Sequence, residues 1–239
     1  LPLLIVGLAG IMNEMLDRIF LQNLLPYDQE ETTRLVGIYS GNYKIAMFIA
    51  LFTQAFRYAA EPFFFQQYKR KDSNVLYGKV ATYYTIVSAF GFLAVTLVLP
   101  WLQQIFLRDA SYAQGYYVTV VILLANISLG LYYNLSIWYK LQDKTQYGMF
   151  ISLAGVLITI LGNVLLIKTV GYMASAWTTL ACYFIMTVLC LIVGSRFYEF
   201  RMEWSKIGYI LLLTVGTYGL YEWLWHGSSW DQGGWQWIR

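Results

Sequence analysis

Residues 42–72 read NYKIAMFIALFTQAFRYAAEPFFFQQYKRKD, an oily stretch that carries Lys44, Gln54, Arg57 and Glu61 before the open charge run KRKD. A charge at the bilayer centre costs about 2.5–3.5 kcal/mol on insertion scales, so such side chains face a protein interior or a water-filled cavity. At about 100° per residue, Gln54, Arg57 and Glu61 fall within about 60° of one another and form one polar stripe. Lys44 lies about 80° from Gln54 and about 20 Å along the axis from Arg57. An upstream cluster, Asn13, Glu14, Asp17 and Arg18, sets Asn13 with Asp17 and Glu14 with Arg18 at four-residue spacing, the spacing of turn-to-turn contact. Two chemistries suit these residues. They can neutralise one another, Arg57 with Glu61 and Lys44 with Asp17 or Glu14. Alternatively Arg57, Lys44 and Arg18, with Gln54, line a cavity and offer positive charge to an anionic group, with Glu61, Asp17 and Glu14 tuning it. Phosphate is the natural partner of such cations.

The elements that must position these residues are membrane helices. The 239-residue chain is 59% hydrophobic and 12% charged. A soluble domain carries about 25% charge. Aromatic residues make up 18%, with 21 Tyr and 9 Trp, types that favour the bilayer–water interface. A spanning helix needs about 20 mostly apolar residues. Seven stretches qualify: 3–25, 37–65, 80–99, 116–139, 148–167, 172–194 and 207–225. The expected fold class is therefore an all-α integral membrane protein, a polytopic helix bundle of about seven transmembrane helices. No alternating strand pattern of a membrane barrel is present. Pro62, in AAEPFFF, removes a backbone donor and predicts a bend over Tyr58 to Glu61, either an ordinary kink or a gate hinge.

Two small-residue ridges stand out. Asn126, Gly130 and Asn134 recur every four residues, as do Gly155, Thr159 and Asn163. Both read as close helix packing with Asn supplying interhelical hydrogen bonds. The sequons at Asn126 and Asn134 lie at membrane depth and cannot serve as acceptors. Cys182 and Cys190 are eight residues apart on one helix, about 12 Å, too far for a disulfide. No His, Cys and carboxylate set has metal-ligand spacing, and no Gly-rich phosphate loop or nucleophile elbow appears. The one histidine, His226, reads as a surface or interface residue. A net charge of +3 is too small to indicate nucleic acid. The expectation is a protein that is not an enzyme and holds no metal.

Residues 148–185, GMFISLAGVLITILGNVLLIKTVGYMASAWTTLACYFI, resemble a pattern of small-residue helix, LN-x-x-LI, a short Gly loop, then GAA-x-AT. That pattern belongs to the multidrug/oligosaccharidyl-lipid/polysaccharide (MOP) exporter superfamily, and the Wzx-type polysaccharide-flippase branch is the most similar. Gly162, Lys168 and Ser175 depart from it, standing where the family often has Leu, Pro and Ala. LPLLIVGLAGIMNEMLDRIFL resembles the helix that opens that branch's second lobe, VGIYSGNYKIAMFIALFTQAFRYAAEPF the next helix, and LQDKT its cytoplasmic Lys-Thr loop.

The resemblance implies a MATE-like two-lobe fold working by alternating access. Residues 1–200 would be the second six-helix lobe and 201–239 an additional helix and outward tail, with the first lobe absent from this chain. It implies a flippase in the bacterial cytoplasmic (inner) membrane that carries undecaprenyl-pyrophosphate-linked oligosaccharide for O-antigen or capsule assembly. It needs no cofactor beyond coupling to an ion gradient or membrane potential. Its partners would be the lipid-linked oligosaccharide, membrane lipids, glycan polymerase and chain-length regulator proteins, with no nucleic acid. The alternatives are a cation-coupled multidrug antiporter of the same superfamily, and a membrane glycan polymerase or acyltransferase. A surplus of Arg and Lys in the cavity spans counts against the antiporter. The enzyme needs a long outward loop that the sequence does not contain.

Loop charges set the orientation, because Lys and Arg are retained on the cytoplasmic side. Loops 66–79, 140–146 and 195–206 are basic, whereas 25–34, 102–112, 166–171 and the tail are not, and the two kinds alternate without a break. The basic loops and the start at Leu1 therefore belong to the cytoplasm. Cysteines introduced at Asp28 and Ala110 should be labelled from outside sealed cells, and those at Ser73 and Ser195 should not. Labelling at Ser73 would invert this topology.

Overall fold

The computed structural model describes residues 2–70, 72–107 and 109–226, apart from the side chains of Ala110, Trp225 and His226. The expectations that rest on Leu1, Lys71, Arg108, His226 and the tail to Arg239 lie outside the described residues.

Among the described residues every regular element is a helix. The chain runs α1 (Pro2–Leu24), α2 (Gln29–Gln67), α3 (Ser73–Leu107), a 3₁₀ turn (Ala110–Gly115), α4 (Tyr116–Leu135), α5 (Ile137–Leu141), α6 (Thr145–Val170), α7 (Met173–Gly194) and α8 (Trp204–His226). Among the described residues, five helical segments are long and apolar enough to cross a membrane: α2, α3, the stretch Ser111–Leu141, α6 and α7. The molecule is an all-α membrane bundle. α1 and α8 are each 23 residues long and are not among these five; α1 carries Glu14, Asp17 and Arg18 within its length.

Local chemistry explains the boundaries. Asp28 caps α2 by accepting from the Glu31 amide at 2.9 Å, and Glu30 and Glu31 follow in the first turn, where the helix dipole favours acids. Gly171 ends α6 at φ 69°, a left-handed conformation that glycine adopts without a Cβ penalty. Helix α2 stays helical through Pro62.

The charge alternation has a spatial counterpart. Gln142 donates to the Phe197 carbonyl at 2.8 Å, Lys144 Nζ lies 3.5 Å from the centre of the Phe197 ring, and Thr82 donates to Glu203 at 3.0 Å. The basic loops thus gather at one end. Glu203, in the 195–203 segment, has its carboxyl held below the ordinary range, chiefly by the hydrogen bond from Lys206 and then by that from Thr82. At the opposite end Tyr172 donates to the Gln114 carbonyl at 2.9 Å, and Asn42 donates to the Tyr112 carbonyl at 2.9 Å.

Helix α4 is the most enclosed, with 83% of its spanning window buried between α7, α2 and α3. Helix α1 packs on α6, α6 on α7, and α8 on α3. Gly130 lets Tyr84 of α3 lie against α4, since an added Cβ would come within 1.8 Å of the tyrosine oxygen. Tyr84 also shares a hydrogen bond with Thr53 of α2 at 2.8 Å and donates to the Asn126 carbonyl at 3.3 Å. The first ridge differs from the expectation of interhelical Asn bonds. The Asn126 and Asn134 amides donate to their own helix, at the Ile122 and Gly130 carbonyls, because a buried amide one turn on reaches that oxygen directly. The interhelical bond comes from Tyr84 instead.

The second ridge does bond between helices. Thr159 donates to Asn13 Oδ1 at 3.0 Å and Asn163 donates to Asp17 Oδ1 at 3.2 Å, so two rungs join α6 to α1. Asp17 also accepts from Tyr39 of α2 and from Thr179 of α7, both at 2.8 Å, and Ser175 of α7 donates to Asn163 Oδ1. Asp17 is 1% exposed, and four helices meet at it. Each of its buried donors left unpaired costs about 1–3 kcal/mol. Asp17→Leu should therefore lower the thermal unfolding midpoint of the detergent-solubilised protein sharply. Asp17→Asn keeps an acceptor for Tyr39 and Thr179 and should lower it less. Equal loss in the two variants would contradict this account.

Candidate functional site

Helices α1 and α2 meet at one end and part at the other. At the meeting end, the Asp17–Tyr39 hydrogen bond is joined by Arg18, whose guanidinium sits 5.0 Å from the centre of the Tyr43 ring. Towards the basic end the two helices diverge and enclose a cleft of about 420 Å³. Its walls are α1 (Gly7, Gly10, Asn13, Glu14), α2 (Gln54, Arg57, Tyr58, Glu61), α4 with α5 (Tyr132, Tyr133, Tyr139, Lys140), Ser152 of α6, and Tyr183 of α7. A Cβ added at Gly7 or Gly10 meets nothing within 4 Å, so the absent side chains leave the α1 wall low.

The polar stripe predicted on α2 is present, and it faces this cleft. Glu61 is its hub. Lys140 donates to Glu61 Oε1 at 2.7 Å, while Arg57 Nε stands 3.9 Å from Glu61 Oε2. The first is a hydrogen-bonded ion pair and the second is an approach without a hydrogen bond. The Arg57 guanidinium lies over the Tyr133 ring, 4.6 Å from its centre. A planar guanidinium stacks on an aromatic face and keeps its donor fork for a second group. Arg57 and Glu61 are each about one-third exposed, at 33% and 32%, so a solute in the cleft reaches both.

The other predicted residues divide. Gln54 and Glu14 line the cleft with Arg57 and Glu61. Arg18 does not; its Nη1 donates to the Glu14 carbonyl at 3.3 Å and it rests on Tyr43 at the closed end. Asp17 is buried in the polar ladder and pairs with neither Lys44 nor Arg18. Lys44 lines a separate recess between α2 and the end of α3. The cationic surplus counted over the spans therefore does not carry into the cleft, which holds Arg57 and Lys140 against Glu61 and Glu14.

Lys140 was not among the predicted site residues. The sequence placed it in the basic loop 140–146, and it reaches the site because α5 continues α4 after a break at Ser136 alone. Its partner Glu61 is 79 residues away, which no local spacing reveals. The tyrosine wall was also missed. Tyr132 and Tyr139, seven residues apart, share a 3.3 Å hydroxyl contact, a helical spacing visible in the sequence without a sign of what it faced.

Fold and site together define a polytopic α-helical membrane bundle with a tyrosine-walled, charged cleft opening towards its basic end. Comparison with known protein families, curated proteins and solved structures gives no match.

The geometry separates the roles of the two cations. Removing Glu61 leaves Lys140, only 14% exposed, without its acid, whereas removing Arg57 leaves the Lys140–Glu61 pair whole. An orphaned, largely buried charge costs about 1–3 kcal/mol at a partly hydrated site. Glu61→Ala should thus lower the thermal midpoint more than Arg57→Ala, and adding Lys140→Ala to Glu61→Ala should recover part of the loss. A double variant no more stable than Glu61→Ala alone would break this assignment.

Proposed function

We propose that the chain is the second lobe of a flippase of the multidrug/oligosaccharidyl-lipid/polysaccharide superfamily, moving a lipid-linked oligosaccharide across the bacterial inner membrane by alternating access. The single observation that carries the reading is Arg57. It is a guanidinium at membrane depth in a cleft, stacked on Tyr133, with its nearest carboxylate already taken by Lys140. Such a group has donors to give to a pyrophosphate, and bidentate Arg–phosphate pairing is the strongest recognition open to it. The tyrosines of α4, α5 and α7 supply the amphipathic surface on which sugar rings pack by their apolar faces and bond by their hydroxyls. The opening at the basic end suits a substrate loaded from the cytoplasm.

A second reading follows from Glu14, a carboxylate on the α1 wall of the same cleft. In a cation-coupled multidrug antiporter that acid would meet the organic cation. The two readings part on the residue that matters.

In cells carrying the full-length protein, Arg57→Ala should reach normal membrane abundance and lose surface glycan export by at least about tenfold, the equivalent of one bidentate contact. Arg57→Lys should recover part of it, since an ammonium cannot copy the fork. Glu14→Gln should leave glycan export within about threefold of wild type, well under one such contact. Full export from Arg57→Ala would sink the flippase reading. Loss of organic-cation efflux in Glu14→Gln, with Arg57→Ala unaffected, would establish the antiporter.

A further inference from the structure

A second recess, of about 480 Å³, lies between α2, the last turn of α3 and the 3₁₀ turn, and shares no lining residue with the cleft. Gly37, Gly41, Lys44 and Phe48 follow one another at three- and four-residue steps and so share one face of α2. The two glycines make the hollow. A Cβ at Gly41 would come within 2.8 Å of the Tyr112 ring, so the tyrosine lies against bare backbone and walls the recess. Tyr112 is itself fixed. Its carbonyl accepts from Asn42 at 2.9 Å, and Asn42 Oδ1 accepts from Gln103 of α3 at 2.6 Å.

The depth of the recess is set by its surroundings. Exposed apolar side chains on α2 begin at Met47 and Phe48, and those on α3 end at Ile105 and Phe106. Lys44 is exposed and stands one turn outside Met47, at the margin of this lipid-facing belt, which is the level of lipid headgroups. Phe48 and Phe106 meet edge to face at 6.2 Å and continue the recess towards the hydrocarbon. Among the described residues Lys44 belongs to no ion pair. A fixed cation beside an apolar floor at headgroup depth is complementary to an anion carrying acyl chains.

We propose that this recess binds an anionic glycerophospholipid, its phosphate on Lys44 with the Ser40 and Tyr112 hydroxyls at hand, and the start of an acyl chain on the Phe48–Phe106 pair. The site is independent of the transport reading and asks only that the chain reside in a membrane. Lysine suits a mobile, hydrated headgroup, because its charge is compact and its donors rotate.

The test is native mass spectrometry of the full chain, extracted from phosphatidylcholine vesicles doped with phosphatidylglycerol. Wild type should retain one phosphatidylglycerol in roughly fivefold preference over phosphatidylcholine, the effect of one lysine at a membrane surface. Lys44→Gln should abolish that preference at an unchanged thermal midpoint. Gly37→Leu should exclude both lipids from the site. Its Cβ meets only the Tyr112 hydroxyl, at 3.7 Å, so the leucine enters the recess without displacing a wall. Wild type without a preference, or a preference that survives both substitutions, would overturn the proposal. So would displacement of the lipid by excess inorganic phosphate, which would mark a free-anion site. A dimer mass in place of the lipid adduct would show that a second copy of the chain covers the recess.

Discussion

The α1 wall of the cleft is held in place by one buried carboxylate, Asp17. Lipid tails are as apolar as leucine, so helices in a bilayer gain little by hiding apolar surface from one another, and packing and hydrogen bonds must hold them. Helix α1 shows this plainly. Its buried side chains are Ala9, Asn13, Asp17 and Leu21, one per turn, and the two polar ones carry its bonds to α6. Asp17 extends that seam to α2 through Tyr39 and to α7 through Thr179. An acceptor-only group with several donors converging on it has one satisfied arrangement, so the network fixes the rotation and height of α1 as well as its attachment. The fastening lies at the closed end, and this is why the space between α1 and α2 opens towards the other.

The electrostatics of the cleft follow from how its charges are shared. Glu61 bonds Lys140 from the enclosed side and meets Arg57 only at a distance. Lys140 is largely buried and serves the carboxylate, which leaves the more exposed guanidinium available. Glu14, on the opposite wall, keeps the whole near neutrality. A near-neutral cleft with one accessible cation offers an anion the geometry of that one group and little net field. That separates it from the broad electropositive lining the α2 sequence suggests when read alone.

Much of this was legible in the sequence, and the limits are physical. Hydropathy located the helices because span length is a property of a single segment. Loop charge grouped the connections by end because each loop reports its own side. The α2 stripe was legible because 54, 57 and 61 share a face by helical period alone. What stayed hidden depends on distance along the chain. Lys140 pairs across 79 residues, and the α1–α6 rungs join Asn13 to Thr159 and Asp17 to Asn163 across 146. Both halves of that ladder were visible as four-residue repeats, yet nothing local says that one repeat docks on the other. Lys44 and Arg18 were misdirected for a related reason. Period gives the angle between side chains but not which neighbour each one meets: Arg18 rests on Tyr43, and Lys44 lines the recess walled by Tyr112.

The low wall formed by Gly7 and Gly10 has a mechanical meaning. Towards the N-terminus from Ala9, no described residue of α1 is buried, so two turns of that rod project beyond its fastening with little to grip them. Leu3 stands six residues from Ala9, about 9 Å along the axis. A tilt of about 10° at Ala9 swings Leu3 through about 1.6 Å, under half the separation of two packed carbon atoms. The seam from Ala9 to Leu21 holds the rest of α1 against α6, so its free arm at the mouth of the cleft is short. Bending confined to those two turns leaves the hydrogen bonds of Asn13 and Asp17 closed.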